Sequence, residues 1–144
     1  FQINVAGQLF ATQAAVAAMT SGDRILLTSS VSARIAVHHH TLYAASKAAV
    51  SAMVLNLAPE LADRGIAINA IAPGGTATDM AAEHTASYTP VALRDVPAEA
   101  VMKSMNALGR LAEPDEIAAV ATFLLSPDAS YITGATIDAA GGWI

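Results

Sequence analysis

Two predominantly apolar runs with a long helical stretch between them constrain this chain more than any other feature. They are Arg24-Ile25-Leu26-Leu27-Thr28-Ser29 and Ile66-Ala67-Ile68-Asn69-Ala70-Ile71-Ala72. A strand with one wet face alternates apolar and polar residues, whereas a strand apolar throughout is covered on both faces, as in a parallel sheet. Parallel neighbours need a crossover, usually a helix. Residues 41–64 supply it, with Thr41 as the expected N-cap and Gly65 suited to the left-handed position after the last turn. Pro59 falls inside that helix, at a cost of about 3 kcal/mol in an isolated helix, and predicts a kink.

The remaining elements extend the alternation. Phe1, Val5, Leu9 and Phe10 recur at helical spacing and predict a helix over 1–19. That opening, without an initiator Met, reads as mid-helix, so a truncated or incompletely recorded chain is expected. Residues 78–108 show no strand pattern; Met80, Met102 and Met105 punctuate short helical stretches. A long irregular segment after a strand is often an active-site lid. Glu113-Pro114-Asp115-Glu116 opens a helix that runs to Leu125, with Pro at its first position and acidic side chains at the positive end of its dipole. A short strand over 135–138 precedes Gly141-Gly142. The order α, β, α, β, lid, α, β predicts one α/β domain with a parallel sheet.

Composition narrows the function classes. Charged residues make up 13% and apolar residues 54%, against about 25% charged in an ordinary domain. Such a chain expects more burial than 144 residues provide, so missing chain or partner subunits should supply it. A net charge of −5 without a basic cluster speaks against nucleic acid. No cysteine is present, which excludes disulfides and thiolate metal sites. Residues 1–22 carry no charge but include Gln2, Asn4, Gln8 and Gln13. They read as a buried amphipathic helix and not as a membrane span. With no signal peptide at this start, a cytoplasmic location is expected. His38-His39-His40 point in different directions and do not chelate one ion easily; a solvated loop on the substrate side is expected there, and no metal site.

The chemistry concentrates at Tyr43-Ala44-Ala45-Ser46-Lys47. Tyr and Lys at i and i+4 share one helix face. A phenol with pKa near 10 is a poor acid–base catalyst at neutral pH, and a nearby cation favours the phenolate. The pair is thus a device for tuning a phenol, although such pairs also occur as surface contacts. Ser30 stands upstream at the end of the first predicted strand, and Asn69-Ala70-Ile71-Ala72-Pro73-Gly74-Gly75-Thr76-Ala77-Thr78 runs out of the second. Ligands in open α/β sheets bind beyond the carboxyl ends of the strands, so two strand ends and one helix face should converge on one cleft. On bland readings, Ser30 caps a strand end, Asn4 packs, Thr78 caps the first lid helix, and the lid methionines fill core.

Taken together, Asn4-Val5-Ala6-Gly7, Ser29-Ser30, Tyr43-x-x-x-Lys47, Asn69-x-x-x-Pro73-Gly74 and Thr78 resemble the short-chain dehydrogenase/reductase family. So does the tail, from Gly109-Arg110-x-x-Glu113-Pro114-x-Glu116-Ile117-Ala118 through Ile132-Thr133-Gly134 to Gly141-Gly142. The likeness covers nearly the whole chain in order. Pro73-Gly74-Gly75-Thr76-x-Thr78-Asp79-Met80 is similar to ketone reductases, fungal naphthol and polyketide reductases among them. The resemblance implies the C-terminal part of a Rossmann-type, doubly wound α/β domain over 1–144, with a substrate lid at about 78–108. It implies an NAD(P)-dependent oxidoreductase interconverting a carbonyl and a secondary alcohol, with NADP or NAD as cofactor and NADP placed ahead. Tyr43 would be general acid in reduction and base in oxidation. Lys47 would lower its pKa and bind the nicotinamide ribose, and Ser30 would hydrogen-bond the substrate oxygen. Asn4 would anchor, through its helix, a water that relays protons from Lys47. Tyr43, Lys47, Pro73, Gly74, Thr76 and Thr78 would hold the cofactor. The implied partners are a small ketone or alcohol and further copies of the chain, in a dimer or tetramer built on the small-residue faces of the first two helices.

Two departures stand against this pattern. The family's N-terminal glycine-rich phosphate loop is absent, and Ala139-Ala140 separates Asp138 from the glycine pair. The alternatives are a non-catalytic dinucleotide-binding relative, which has no need of a tuned phenol, and an inactive truncated fragment.

Overall fold

The computed structural model of the chain describes residues 1–143, and only the backbone of residues 85, 86, 98 and 102; the expectation for the side chain of Met102 lies outside these. Three parallel strands form the sheet, β1 (Arg24–Thr28), β2 (Ala67–Pro73) and β3 (Thr136–Ala139), in the order β1-β2-β3. The central β2 pairs Ile25 with Ile68 and Leu27 with Ala70 on one side, and Ile71 with Ile137 on the other. Its Ile68, Ala70 and Ala72 are fully buried, as the apolar run requires.

The crossover helix α2 (Thr41–Ala62) lays one stripe on this sheet. Val50, Val54, Ala58 and Leu61 recur at helical spacing and meet Leu27, Ile66, Ile68 and Ala70 in a single cluster, rimmed by Val16, Met19, Ile25, Met53 and Leu57. Burying one such aliphatic side chain stabilises the fold by about 1.5–3 kcal/mol. The helix continues through Pro59 as one element, held there by its buried neighbours Ala58 and Leu61. Thr41 is not the cap but the first helical residue. His40 occupies the cap position, because its carbonyl accepts the first intrahelical bond, from Ala44 N at 2.6 Å. Gly65 has φ +68°, in the left-handed region, and a Cβ on it would also crowd Ser21, so the turn into β2 requires glycine.

The first helical segment is not uniform. Gln2–Gly7 is a π-helix, and α1 (Gln8–Val16) follows, ending three residues short of the predicted stretch. A π-turn inside a helix widens it by one residue and is frequent at functional sites. Residues 79–104, where a lid is expected, hold α3 (Asp79–His84), α4 (Ala98–Ser104) and two short 3₁₀ turns, Thr85–Tyr88 and Val91–Leu93. Parallel bridging of Thr76 with Ala112 and antiparallel bridging of Asn106 with Trp143 tie down the two ends of this segment. Helix α5 (Pro114–Leu125) opens with a capping box between Glu113 and Glu116. It also meets β1 and β2, but none of its residues joins the α2 cluster, so it covers the opposite sheet face. Among the described residues no helix is long and apolar enough to cross a membrane.

Candidate active site

Because β1 and β2 are parallel, they end together: Ser29 N donates to Ile71 O at 2.8 Å, with Ser30 one step beyond on the first strand and Pro73-Gly74 on the second. Ser30 is buried and extended, and its Oγ accepts Ser32 N at 3.2 Å. This closes the 3₁₀ turn Val31–Ala33 against α2. Since the hydroxyl acts there as acceptor, its proton remains available to donate.

Tyr43 and Lys47 lie on the first turns of α2. Tyr43 is exposed at 41%, Lys47 buried at 8%. The Lys47 ammonium donates to Thr28 O at 2.9 Å and sits 5.6 Å from the Tyr43 ring centroid, within cation–π range. Burial pushes the Lys47 ammonium below its ordinary pKa. Among the described residues no hydrogen bond joins Tyr43 Oη to Ser30 or Lys47, so the pair meets through the ring face. Ser29 Oγ donates to Lys47 O at 2.9 Å and pairs with Ser51 Oγ at 2.8 Å, which locks α2 to the end of β1.

Asn4 sits in the π-turn. Its Nδ2 donates to Ser46 Oγ at 3.1 Å, and Ser46 Oγ donates to Tyr43 O at 2.7 Å. The Asn4 carbonyl accepts Gln8 Nε2 at 2.7 Å. Four residues expected at the site, Asn4, Ser30, Tyr43 and Lys47, therefore gather around the end of β1.

The second strand end holds the others. Gly74 N donates to Ala139 O at 3.0 Å, and a Cβ on Gly74 would come within 2.9 Å of Ala140 Cα, so close backbone approach to β3 already demands glycine here. Thr76 Oγ1 donates to Gly74 O at 3.2 Å. Ala112 takes the carbonyl of Gly75 and the amide of Ala77, each at 2.9 Å, so the N–H and C=O of Thr76 face away from that bridge. Thr78 Oγ1 accepts Ala81 N at 3.2 Å and caps α3. Asn69 is buried behind the site, donating to Ile132 O at 2.8 Å and accepting Ala135 N at 3.1 Å. It hooks the chain leading into β3.

Several participants carry no signal that sequence reasoning used. Gln8 is legible only as one polar residue of an uncharged helix. His40 lies half-buried with Nδ1 3.2 Å from Ser32 Oγ. Its ring stands edge-on to Tyr43 at 5.2 Å and to Tyr88 at 4.1 Å, and burial lowers its pKa. His38 and His39 are exposed, their ring centroids 3.9 Å apart. A separate cleft of about 400 Å³, lined by Val31, Arg34, Ile35, Asp138 and Trp143 among others, holds neither Tyr43 nor Lys47. An Arg34–Asp138 ion pair lies in its wall. The catalytic candidates lie instead around the end of β1.

Comparison with known proteins follows this geometry. The family model described as enoyl-(acyl carrier protein) reductase matches residues 1–144. The hydroxynaphthalene reductase-like protein Arp2 of Metarhizium majus is 39% identical over 146 residues, spanning 99% of this chain and 55% of its own length. Tetrahydroxynaphthalene reductase PfmaG of Pestalotiopsis fici is 33% identical, spanning 100% of this chain and 53% of its own. Among solved structures, the angucycline C-6 ketoreductase LanV with bound NADP has a TM-score of 0.83 at 33% identity, over 97% of this chain and 51% of that one. A blue fluorescent protein from a metagenomic library, in complex with NADPH, has a TM-score of 0.83 at 37% identity, over 97% of this chain and 53% of that one. The chain thus spans about half the length of these relatives, and the family model matches it from end to end: it belongs to the short-chain dehydrogenase/reductase family.

Proposed function

We propose that this chain forms the substrate-facing part of an NADP(H)-dependent reductase that interconverts a ketone and a secondary alcohol. Tyr43 is its general acid in reduction and its base in oxidation. The observation that carries this reading is the buried Lys47 ammonium, fixed by Thr28 O and facing the ring of an exposed phenol. A binding module for dinucleotide gains nothing from a desolvated cation aimed at a tyrosine.

The residues present fit a nicotinamide cofactor. An ammonium has three donors; Lys47 uses one on Thr28 O, which leaves two for ribose hydroxyls. The outward N–H and C=O of Thr76 match a carboxamide, with Thr78, Pro73 and Gly74 forming the wall beside it. When bound, the cofactor supplies the hydride. This chain's residues do the rest. Ser30 Oγ donates to the substrate oxygen, Tyr43 Oη delivers the proton to that same oxygen, and Lys47 stabilises the phenolate left behind. Positioned acid–base catalysis contributes about 10²–10⁴-fold, and orientation of substrate against cofactor supplies much of the remainder. The Asn4 turn lies on the side from which Lys47 would be reprotonated. Exposed Phe10, Leu42 and Leu55 on α1 and α2 support association between copies.

The test is NADPH consumption by the full protein with an aromatic ketone, run beside an α,β-unsaturated thioester. Ketone-dependent turnover is expected. NADPH binding without ketone turnover would overturn the reading, and turnover of the thioester alone would move the reaction to a carbon–carbon double bond.

A further inference from the structure

Two hydroxyls, those of Ser30 and Tyr43, must meet one substrate oxygen, yet they stand on different elements. Ser30 ends β1, Tyr43 opens α2, and among the described residues no hydrogen bond joins them. A chain of contacts through His40 does. Ser30 Oγ accepts Ser32 N at 3.2 Å, Ser32 Oγ lies 3.2 Å from His40 Nδ1, and the His40 ring stands edge-on to the Tyr43 ring at 5.2 Å. Ser32 is buried, and among the described residues its hydroxyl has the imidazole as its partner. Tyr88 packs edge-on against the same imidazole at 4.1 Å. Every link of this chain closes within residues 30–88.

The backbone brings His40 to this place at a cost. His40 N donates to Val37 O at 3.2 Å, which closes a turn with His39 at its third position. His39 has φ +58° and is, among the described residues, the one residue other than glycine in the left-handed region. A turn that needs positive φ there favours glycine or asparagine. Such outliers persist where the surroundings over-determine them, and they cluster at functional sites. His39 itself is exposed, so the strained turn serves the residue after it. The carbonyl of that residue accepts Ala44 N at 2.6 Å and opens the helix of Tyr43. Its ring is kept neutral by burial, and a neutral imidazole accepts at one nitrogen. With Nδ1 accepting from Ser32, a hydrogen bond fixes the ring where packing alone would let it turn.

We propose that His40 is a positioning residue: through Ser32 it fixes the turn that carries Ser30, and through its ring it fixes the Tyr43 side chain, so that both hydroxyls address one substrate oxygen. The inference rests on the reading of Ser30 and Tyr43 as the groups that meet that oxygen. Phenylalanine at position 40 keeps a ring beside Tyr43 and Tyr88 and loses the bond to Ser32. Ser32→Ala cuts the same bond from its other end.

The test is a double-mutant cycle on kcat in the full protein, with NADPH and an aromatic ketone. It uses His40→Phe, Ser32→Ala and Ser30→Ala singly, and each of the first two combined with Ser30→Ala. His40→Phe and Ser32→Ala should each lower kcat about 10-fold, less than the roughly 10²-fold cost of a misplacement of about 1 Å, with ketone KM and NADPH affinity nearly unchanged. Ser30→Ala alone should cost about 10²-fold, as loss of one donor to a developing oxyanion does. Once that hydroxyl is gone, His40 has no serine to place, so each double variant should turn over no more slowly than Ser30→Ala alone. Effects that simply multiply would overturn the proposal, and so would lower thermal stability with parental kcat; either leaves His40 a packing residue. Ser32→Ala removes a single oxygen, so the cycle stays readable if His40→Phe does not fold. If Ser30→Ala and Tyr43→Phe kept normal turnover, the reacting groups themselves would fall and this inference with them. If both were impaired while His40→Phe and Ser32→Ala kept parental kcat, only the His40 assignment would fall.

Discussion

A single hydroxyl separates Tyr43 from phenylalanine, and the site asks different things of ring and hydroxyl. The ring meets Lys47 on its face and His40 at its edge, and phenylalanine keeps both contacts. Tyr43→Phe should therefore retain the fold and NADPH affinity while turnover drops at least about 10²-fold; near-normal turnover in steady-state assays would end the assignment. Lys47 is the complementary case. As an acid in reduction the phenol must be protonated, and a cation beside it favours the phenolate. Replacing Lys47 by methionine removes the cation and retains a helix former, so the basic limb of the kcat/KM profile should move to higher pH. NADPH affinity should weaken as well, because the two spare N–H donors are lost. A coincident profile for variant and parent would show that Lys47 does not tune the reaction. Because Lys47 is buried and its pKa lowered, the folded state holds its proton less tightly than the unfolded chain. Folding is therefore favoured by rising pH through the alkaline range at this residue, the opposite of a stabilising ion pair.

Among the elements, α5 shows how much of the structure local chemistry dictates. Pro114 at its first position and the acidic first turn are readable from four consecutive residues, and the structure adds the Glu113–Glu116 capping box. The bidentate bond from Arg110 to Glu116, at 2.7 Å to each oxygen, is not readable there. That bond, and next the Glu113 N–H, hold the Glu116 carboxyl down at about 2. A depressed carboxylate pKa gives stability that is present above the unfolded value and lost as pH falls towards the folded one. The loss should thus occur between pH 4.5 and about 2, and Glu116→Gln should flatten that part of the curve of urea midpoint against pH. An identical acid slope in the variant would show that the pair is screened out, as exposed pairs often are. The same contrast between local and distant signals explains what was legible elsewhere. The two apolar runs gave β1 and β2, since complete burial leaves a pattern in sequence. Gly65 gave its turn, since only a left-handed backbone needs it. The π-turn at Gln2–Gly7 and the cap at His40 left no such trace: the turn sets Asn4 against Ser46, a partner brought up by tertiary structure, and the cap is a backbone carbonyl that any residue carries. Tyr43 and Lys47 drew notice through their i, i+4 spacing and Ser30 through its place at a strand end, whereas Tyr88 reaches His40 from residues 79–104, whose conformation no periodicity encodes.

At the scale of the whole molecule, both crossovers meet at β2, the first ending on it and the second leaving it, but they differ in length. Leu26 finds Asn69 across the span of α2 alone, whereas Ala70 must wait for Thr136, beyond the lid and α5. Parallel pairing offers no reward until its loop has closed, and longer loops close at greater entropic cost. The β1–α2–β2 unit also contains nearly the entire apolar cluster on its face of the sheet. The chain should accordingly assemble in a fixed order, with this unit forming the transition state and β3 docking afterwards. Ile68→Ala should slow refolding in stopped-flow mixing, whereas Ile137→Ala should mainly hasten unfolding; equal effects of both on the refolding limb would contradict that order. It follows that the groups around the end of β1 share a nucleus with the core, while the wall at Gly74 and Thr76 is completed only when the last strand arrives. Late, reversible loosening of β3 would then open the wall at Gly74 and Thr76, which the proposed function gives to the nicotinamide, and leave Tyr43 and Lys47 in register, a natural breathing motion for releasing a spent dinucleotide.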